Sequence, residues 1–265
     1  MPAPDSIAPA TLARLIGTPT APALYDLRPP ASPSRIPGAS RRIPPADARA
    51  VVVIDAAGGA EAHAAAARLR HDGIAAEVLE GGHDGWVAAG LPLLLEAALE
   101  RDADDRTHWV TRSRPKVDRI ACPWLIRRFV DPHAVILFVA PGEVAGVAAA
   151  TGAAPFDIAA EGVRWSHRGE ACTFDALLDD LGLGAIPALA RLAPIVRGAD
   201  TARLDLAPEA AGLVALSLGL SRLYSDDHRQ LEAGMDLYDA LYRWARDAQD
   251  ERHDWASHQP RGGRA

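Results

Sequence analysis

Two hydrophobic patterns follow one another along the chain. In the first, short apolar runs alternate with Gly-bounded polar segments. "ALYDL" (23–27) and "AVVVID" (50–55) read as buried strands, the second followed by Gly58 and Gly59. "GAEAHAAAARLRHDG" (59–73) reads as an Ala-rich helix stopped at Gly73, and "IAAEVLEGG" (74–82) as the next strand. "HDGWVAAGLPL" then makes a short helix closed by Gly90 and Pro92. Strand, helix and strand joined by short Gly-rich turns predict a parallel sheet covered by helices, an α/β unit over residues 24–93.

The second pattern is mainly helical. "LLEAALERDADDR" (94–106) turns acidic and reads as a connector, which places one domain at 1–100, a linker at 101–106 and a second domain at 107–251. "HWVTRSR" is extended, and a helix is expected to begin at Pro123 with Cys122 as its N-cap, because residues before proline avoid the helical region. "VILFVA" (135–140) is a strand, "GEVAGVAAATG" (142–152) a helix, and "VRWSHRGEACTF" (163–174) a hairpin around Arg168-Gly169. With Thr173 as a cap, helices follow at 174–181, 187–197, 208–224 and 227–248. The third is apolar nearly all round, so it is expected at the centre of the bundle. The result is an α+β, mainly helical second domain, ending in a polar tail (252–265) expected to fray.

Composition narrows the function. At 265 residues there is room for one large domain or two small ones, and 49% hydrophobic content is ordinary for a globular protein. The start, "MPAPDSIAPATLARL", lacks a basic opening followed by an apolar run, and "AAGLVALSLGL" (210–220) is too short to cross a bilayer. Two cysteines do not make a disulfide framework. Cytoplasm is the expected location, with no membrane partner. A formal net charge of −7 argues against a broad DNA-binding surface and leaves room for a focused anion site.

The chemistry concentrates in "HWVTRSRPKVDRIACPWLIRRFV" (108–130). Six cations, Arg112, Arg114, Lys116, Arg119, Arg127 and Arg128, accompany one carboxylate, Asp118. Guanidinium forks bind tetrahedral oxyanions in bidentate fashion, and alternation places Arg112, Arg114 and Lys116 on one side of an extended segment. Pairing with distant acids such as Asp200, Asp205 or Asp236 is the alternative. Cys122, at a helix start beside Lys116 and Arg119, would be an activated redox thiol. As a packed side chain it would instead be inert. In the hairpin, His167 and Glu170 are expected as cross-strand partners sharing a face with Trp165 and Cys172. With Asp227 and His228 they are candidate ligands for a transition metal, or else an ordinary hydrogen-bonded pair and a helix cap.

Two resemblances organise these readings. "YDLR" (25–28), "RIPGA" (35–39), "VVVIDAAG" (51–58) and "LEGGHDGWVAAGLPL" (79–93) resemble a rhodanese-like domain. Asp55 stands at that family's catalytic cysteine position and Ala60 at its usual arginine, so sulfurtransferase activity is expected to be absent. The fold would then serve packing or docking of a protein partner, and Asp26 and Arg28 would form an internal ion pair. "HWVTRSRPKVDRIACPWLIRRFVDP", "WSHRGEACTFDALL", "IVRGADTARLDLAPEAAGL" and "LGLSRLYSDDHRQLEAGMDLYDALYRW" resemble the ChrB-type chromate-resistance domain over 108–245. That resemblance implies a bacterial protein of chromate resistance or response. The expectation is an oxyanion such as chromate held by Arg112, Lys116, Arg119 and Arg128 near Cys122. The alternatives are a metal- or thiol-dependent redox detoxification enzyme and a regulator of a chromate-efflux operon.

Overall fold

The first apolar runs pair side by side as a five-stranded parallel sheet. In the computed structural model, which describes residues 5–30 and 32–251, its strands are β1 (Ser6–Ile7), β2 (Ala23–Asp26), β4 (Ala39–Ser40), β5 (Val51–Ile54) and β6 (Ala76–Leu79). Their order is β1-β6-β5-β2-β4, and every pairing is parallel. The tail at 252–265 lies outside the described residues. β5 is buried on both faces, which is why it reads as an unbroken apolar run. Val51 and Val53 pack with Ala62, Ala66 and Leu69 of helix α2 (Ala60–His71). Val52 and Ile54 face a larger core shared with Leu12 of α1 (Pro9–Leu15) and Trp86 of α3 (Gly82–Ala88).

Asp55, just after β5, accounts for the loop that follows. Its carboxylate accepts the N–H groups of Ala57 (3.1 Å), Gly58 (2.5 Å), Gly59 (3.0 Å) and Ala62 (3.3 Å). A backbone cradle that suits an anion is thus filled by the chain's own side chain. The expected Asp26–Arg28 pair is present at 2.8 Å, with Asp26 buried.

The stretch read as a connector is pinned to both halves. β7 (Leu94–Leu95) pairs antiparallel with β3 (Ser34–Arg35). Arg35 is fully buried and meets Asp105 at 2.8 Å and Glu96 at 3.0 Å, and Arg101 meets Glu96 at 3.0 Å. The large core is continuous across the two halves, running from Trp86 and Leu94 to Trp124 and Phe129.

Beyond residue 107 a three-stranded parallel sheet forms from β8 (His108–Arg112), β9 (Val135–Val139) and β10 (Ala154–Pro155), ordered β10-β8-β9. Around it lie α4 (Asp118–Leu125), α5 (Val144–Thr151), α6 (Thr173–Asp180), α7 (Pro187–Asp200), α8 (Ala210–Leu223) and α9 (Asp227–Asp247).

Three local expectations are corrected. First, α4 begins at Asp118, so Cys122 lies inside the helix and Pro123 interrupts it rather than opening it. An interior proline costs about 3 kcal/mol. Burying Trp124, Leu125, Ile126 and Phe129, at about 1.5–3 kcal/mol each, outweighs that cost. Second, the long apolar helix is peripheral. α8 turns Ser217 and Ser221 inward and leaves Leu216, Leu218 and Leu223 exposed, while α7 supplies the interior with Leu189, Leu192, Ile195 and Val196. The serine hydroxyls face inward toward the loop before α4, where Arg114 Nη2 also lies 3.3 Å from Ser221 Oγ. Ser217 Oγ accepts the Val117 N–H at 2.9 Å, and the Ser221 carbonyl accepts the Arg114 guanidinium. Third, α6 starts at Thr173 with Cys172 as its cap residue, and Asp175 accepts the Cys172 N–H at 2.9 Å.

Candidate functional site

The cationic segment does not continue as a strand. β8 stops at Arg112, and both Arg114 (φ 56°) and Val117 (φ 34°) adopt positive backbone angles. For a β-branched residue that conformation is costly, and it persists only where neighbours enforce it. They do so here on every side. The Pro115 carbonyl accepts Gln230 Nε2 (2.6 Å), the Val117 carbonyl accepts Tyr238 OH (3.1 Å), and Ser217 holds the Val117 N–H. The loop so fixed delivers Asp118 into the interior.

Asp118 is fully buried. Its Oδ2 accepts the N–H groups of Thr173 (2.6 Å) and Phe174 (3.3 Å) at the start of α6, while its Oδ1 has no hydrogen-bond partner among the described residues. Asp157, itself at φ 49° and buried, approaches from beyond β10, and Asp200 from the end of α7. His167 Nε2 covers the three carboxylates. It lies 3.1 Å from Asp200 Oδ2, 3.5 Å from Asp157 Oδ1 and 3.9 Å from Asp118 Oδ2. Burial, then the neighbouring Asp200 and Asp157, push the Asp118 carboxyl well above the usual carboxylate range. Asp200 moves the same way, for burial first and Asp157 second.

The arginines are answered by these acids. Asp157 Oδ2 lies 3.3 Å from Arg112 Nη2 and 3.1 Å from Arg119 Nε. The second contact is an ion pair by distance only, because the Nε–H does not point at the oxygen and has no hydrogen-bond acceptor among the described residues. Arg119 Nη1 instead donates to the Ser113 carbonyl (3.0 Å).

Of the candidate residues, the structure therefore gathers Arg112, Arg119 and His167 and separates the rest. Arg114 departs toward Tyr224 and Asp227, which breaks the expected one-sided row of cations. Lys116 is exposed. Arg128 engages Asp239, through Nε at 2.8 Å and Nη2 at 2.6 Å, not the acids that hold Arg112 and Arg119. Glu170 is 92% exposed and nearest Arg203 at 3.7 Å. The reason is register. Arg168 and Ala171 are the residues that pair across the turn, so the turn centres on Gly169-Glu170 and Glu170 is not the partner of His167. Asp227 accepts the Arg114 backbone N–H at 3.1 Å, and the His228 ring stands edge-on to Phe138 at 5.3 Å. The sequence pattern does not single out Asp157 and offers Asp200 only as a counter-charge. Asp157 follows a short apolar run and Asp200 ends a helix, positions that carry no spacing signal.

Cys122 is not an activated thiol. It is fully buried, and burial followed by the Asp118 charge pushes its pKa well up, away from the thiolate form. Cys172 is raised too, again by burial first. Alkylation with iodoacetamide at pH 8 is expected to leave both unmodified in the folded chain and to modify both in denaturant, as mass spectrometry would read. Labelling of Cys122 without denaturant would contradict the packing described.

The four residues Asp118, Asp157, His167 and Asp200 all fall in a region with known relatives. The family model described as ChrB, C-terminal domain, matches residues 109–245. The chain belongs to this family. Protein ChrB of Cupriavidus metallidurans is 37% identical over 140 residues, which cover 51% of this chain and 39% of that protein. The chain thus spans about two fifths of this relative's length. Among solved structures, a rhodanese-related protein from Thermoplasma volcanium is 26% identical, covering 34% of this chain and 98% of its own, with a TM-score of 0.30. A thiosulfate sulfurtransferase from Pseudomonas aeruginosa is 30% identical, covering 35% of this chain and 19% of its own, with a TM-score of 0.29. Within the ChrB-matched region, α4, the β10 end, the turn before α6 and the end of α7 each contribute one member of the carboxylate–histidine cluster.

Proposed function

We propose that this ChrB-family chain acts in chromate resistance through a divalent metal ion held by Asp118, Asp157 and His167. One observation carries the reading: each of the three offers a ligand atom within 4.8 Å of the others, and the fully buried Asp118 keeps an oxygen without a partner. A buried carboxylate oxygen left unsatisfied is costly, and a cation is the partner its chemistry calls for. Oxygen and imidazole donors without thiolate suit Mn2+, Fe2+ or Zn2+.

Charge balance connects the ion to an oxyanion. Arg112 and Arg119 lie against Asp157, and Arg119 also feels the charge of Asp200, so the guanidinium groups alone leave little attraction for an anion. A divalent ion that displaces the Asp118 proton adds net positive charge. Chromate would then be attracted by the ion with Arg119 at its side, rather than by four free cations.

Calorimetry on protein stripped with a chelator tests this. Mn2+, Fe2+ under anaerobic conditions, or Zn2+ is expected to bind at one ion per chain with a dissociation constant below about 10 μM. Chromate and sulfate are expected to bind the loaded chain more tightly than the stripped one. No saturable uptake of any of the three ions would remove the reading. Oxyanion binding indifferent to the ion would remove its link to chromate.

A further inference from the structure

A cavity opposite in character to the carboxylate–histidine cluster lies between the two halves of the chain. It encloses about 370 Å3. Arg42, Arg49, Arg127, Arg128 and His133 line it, and no acidic residue does so among the described residues. We infer that this cleft binds an organic anion, an oxyanion head carried on an apolar body.

The construction of the cleft supports a pre-formed site. α4 runs directly into a π-helical turn, Ile126–Val130, which presents Arg127 and Arg128 consecutively at the cavity. Such turns are rare and recur at functional sites. The turn is fixed to the first half at two points. The Gly38 N–H donates to the Phe129 carbonyl at 2.7 Å, and the Phe129 ring lies so close to Gly17 that a Cβ there would come within 2.2 Å of Cζ. Gly17 has φ 79°, so a side chain is disfavoured by conformation as well as by space.

The electrostatics follow from where the counter-charges sit. Arg127 meets Glu232 at 2.6 Å, Arg128 meets Asp239 at 2.6 Å and Arg42 approaches Asp104 at 3.7 Å. None of those acids lines the cavity. They hold the arginines from outside it. The Arg49 side chain makes no hydrogen bond or ion pair among the described residues. The Arg49 guanidinium is therefore open to a carboxylate or phosphate head, which its fork matches in bidentate geometry, with the other arginines adding positive charge around it.

Size and lining decide what accompanies the head. A bare tetrahedral ion fills only a small part of this volume, which lies in the range of small-molecule pockets. Six prolines, Pro19, Pro22, Pro37, Pro44, Pro45 and Pro132, form much of the wall. They offer rigid apolar surface and no N–H donors, so the remainder of the ligand is apolar. The cleft shares no lining residue with the carboxylate–histidine cluster, and the inference stands independently of the metal reading.

Calorimetry on the full chain with phenyl phosphate, benzoate and inorganic phosphate tests it. Phenyl phosphate or benzoate is expected to bind saturably, at least about tenfold tighter than inorganic phosphate, and the stronger of the two identifies the head. An Arg42→Ala/Arg49→Ala chain is expected to weaken that binding at least about tenfold, while Asp118→Asn leaves it unchanged. Arg42 is partly exposed and Arg49 exposed, so the double variant is expected to keep the thermal midpoint of the parent. Absence of saturable binding by both organic probes would overturn the inference. So would unchanged affinity in the double variant, no preference over inorganic phosphate, or equal loss in Asp118→Asn.

Discussion

Replacing Asp118 by asparagine is expected to reduce metal affinity at least about a hundredfold, near 3 kcal/mol, while changing the stability of the metal-free chain by less than about 1 kcal/mol. The two parts have one cause. In the metal-free fold burial and the neighbouring acids favour the neutral form of this carboxyl, and asparagine copies a neutral acid in shape and charge. The backbone donors Thr173 N–H and Phe174 N–H keep an oxygen to bond. Only the ionised form can serve an incoming cation strongly, and that form is what the substitution removes. The sign of the pH dependence follows. An unfolded aspartate releases its proton near the ordinary carboxylate value, whereas folded Asp118 retains it to higher pH. Its contribution to metal-free stability is complete below the ordinary value and is lost as pH rises through the raised one. Asp118→Asn should flatten that part of the profile, as urea titrations across pH would show. A variant that binds metal as the parent does, with an unchanged pH profile, would place the ion elsewhere.

Asp239→Ala is expected to destabilise the fold by about 3–5 kcal/mol. Asp239 is buried and accepts from Trp124 Nε1 at 2.8 Å as well as from Nε and Nη2 of the Arg128 guanidinium. Removing it leaves a buried indole N–H and a partly buried cation without their acceptor at the contact between α4 and α9. Glu232→Ala is the control. Glu232 is 66% exposed where it meets Arg127, and screened surface pairs contribute about 0–1 kcal/mol. Denaturant midpoints at constant slope would compare the two. Equal losses would mean that burial does not govern these pairs.

The contrast between Asp239 and Glu232 also shows where sequence reading succeeds. Adjacent Arg127 and Arg128 look alike in the chain, yet one meets a solvent-exposed acid and the other a buried one over a hundred residues away. Alternation and Gly-bounded runs were enough to place β2, β5, α2 and β6 close to their observed positions, because backbone hydrogen bonding and local burial impose those periods directly. α7 and α9 were found for the same reason. α8 was found as a helix but assigned to the wrong place. Its leucines suggest the centre, whereas its buried serine hydroxyls face the segment before α4, Ser217 bonding Val117 and Ser221 approaching Arg114. The hairpin was anticipated with its turn one residue early, and that single step removed Glu170 from His167.

By itself the sequence determined the parallel α/β first half, the helical second half, the absence of a cysteine where Asp55 stands, and the family, all of which depend on local pattern or on residue identity in order. Tertiary structure alone decided which charges meet. Asp118, Asp157 and Asp200 come from three separate elements, and Arg112 and Arg119 are neutralised by an acid that no spacing rule connects to them. The physical reason is range. Hydrogen-bond periodicity acts over a few residues of chain, but pairing, burial and the fate of a proton depend on distances through space that only the packed core sets.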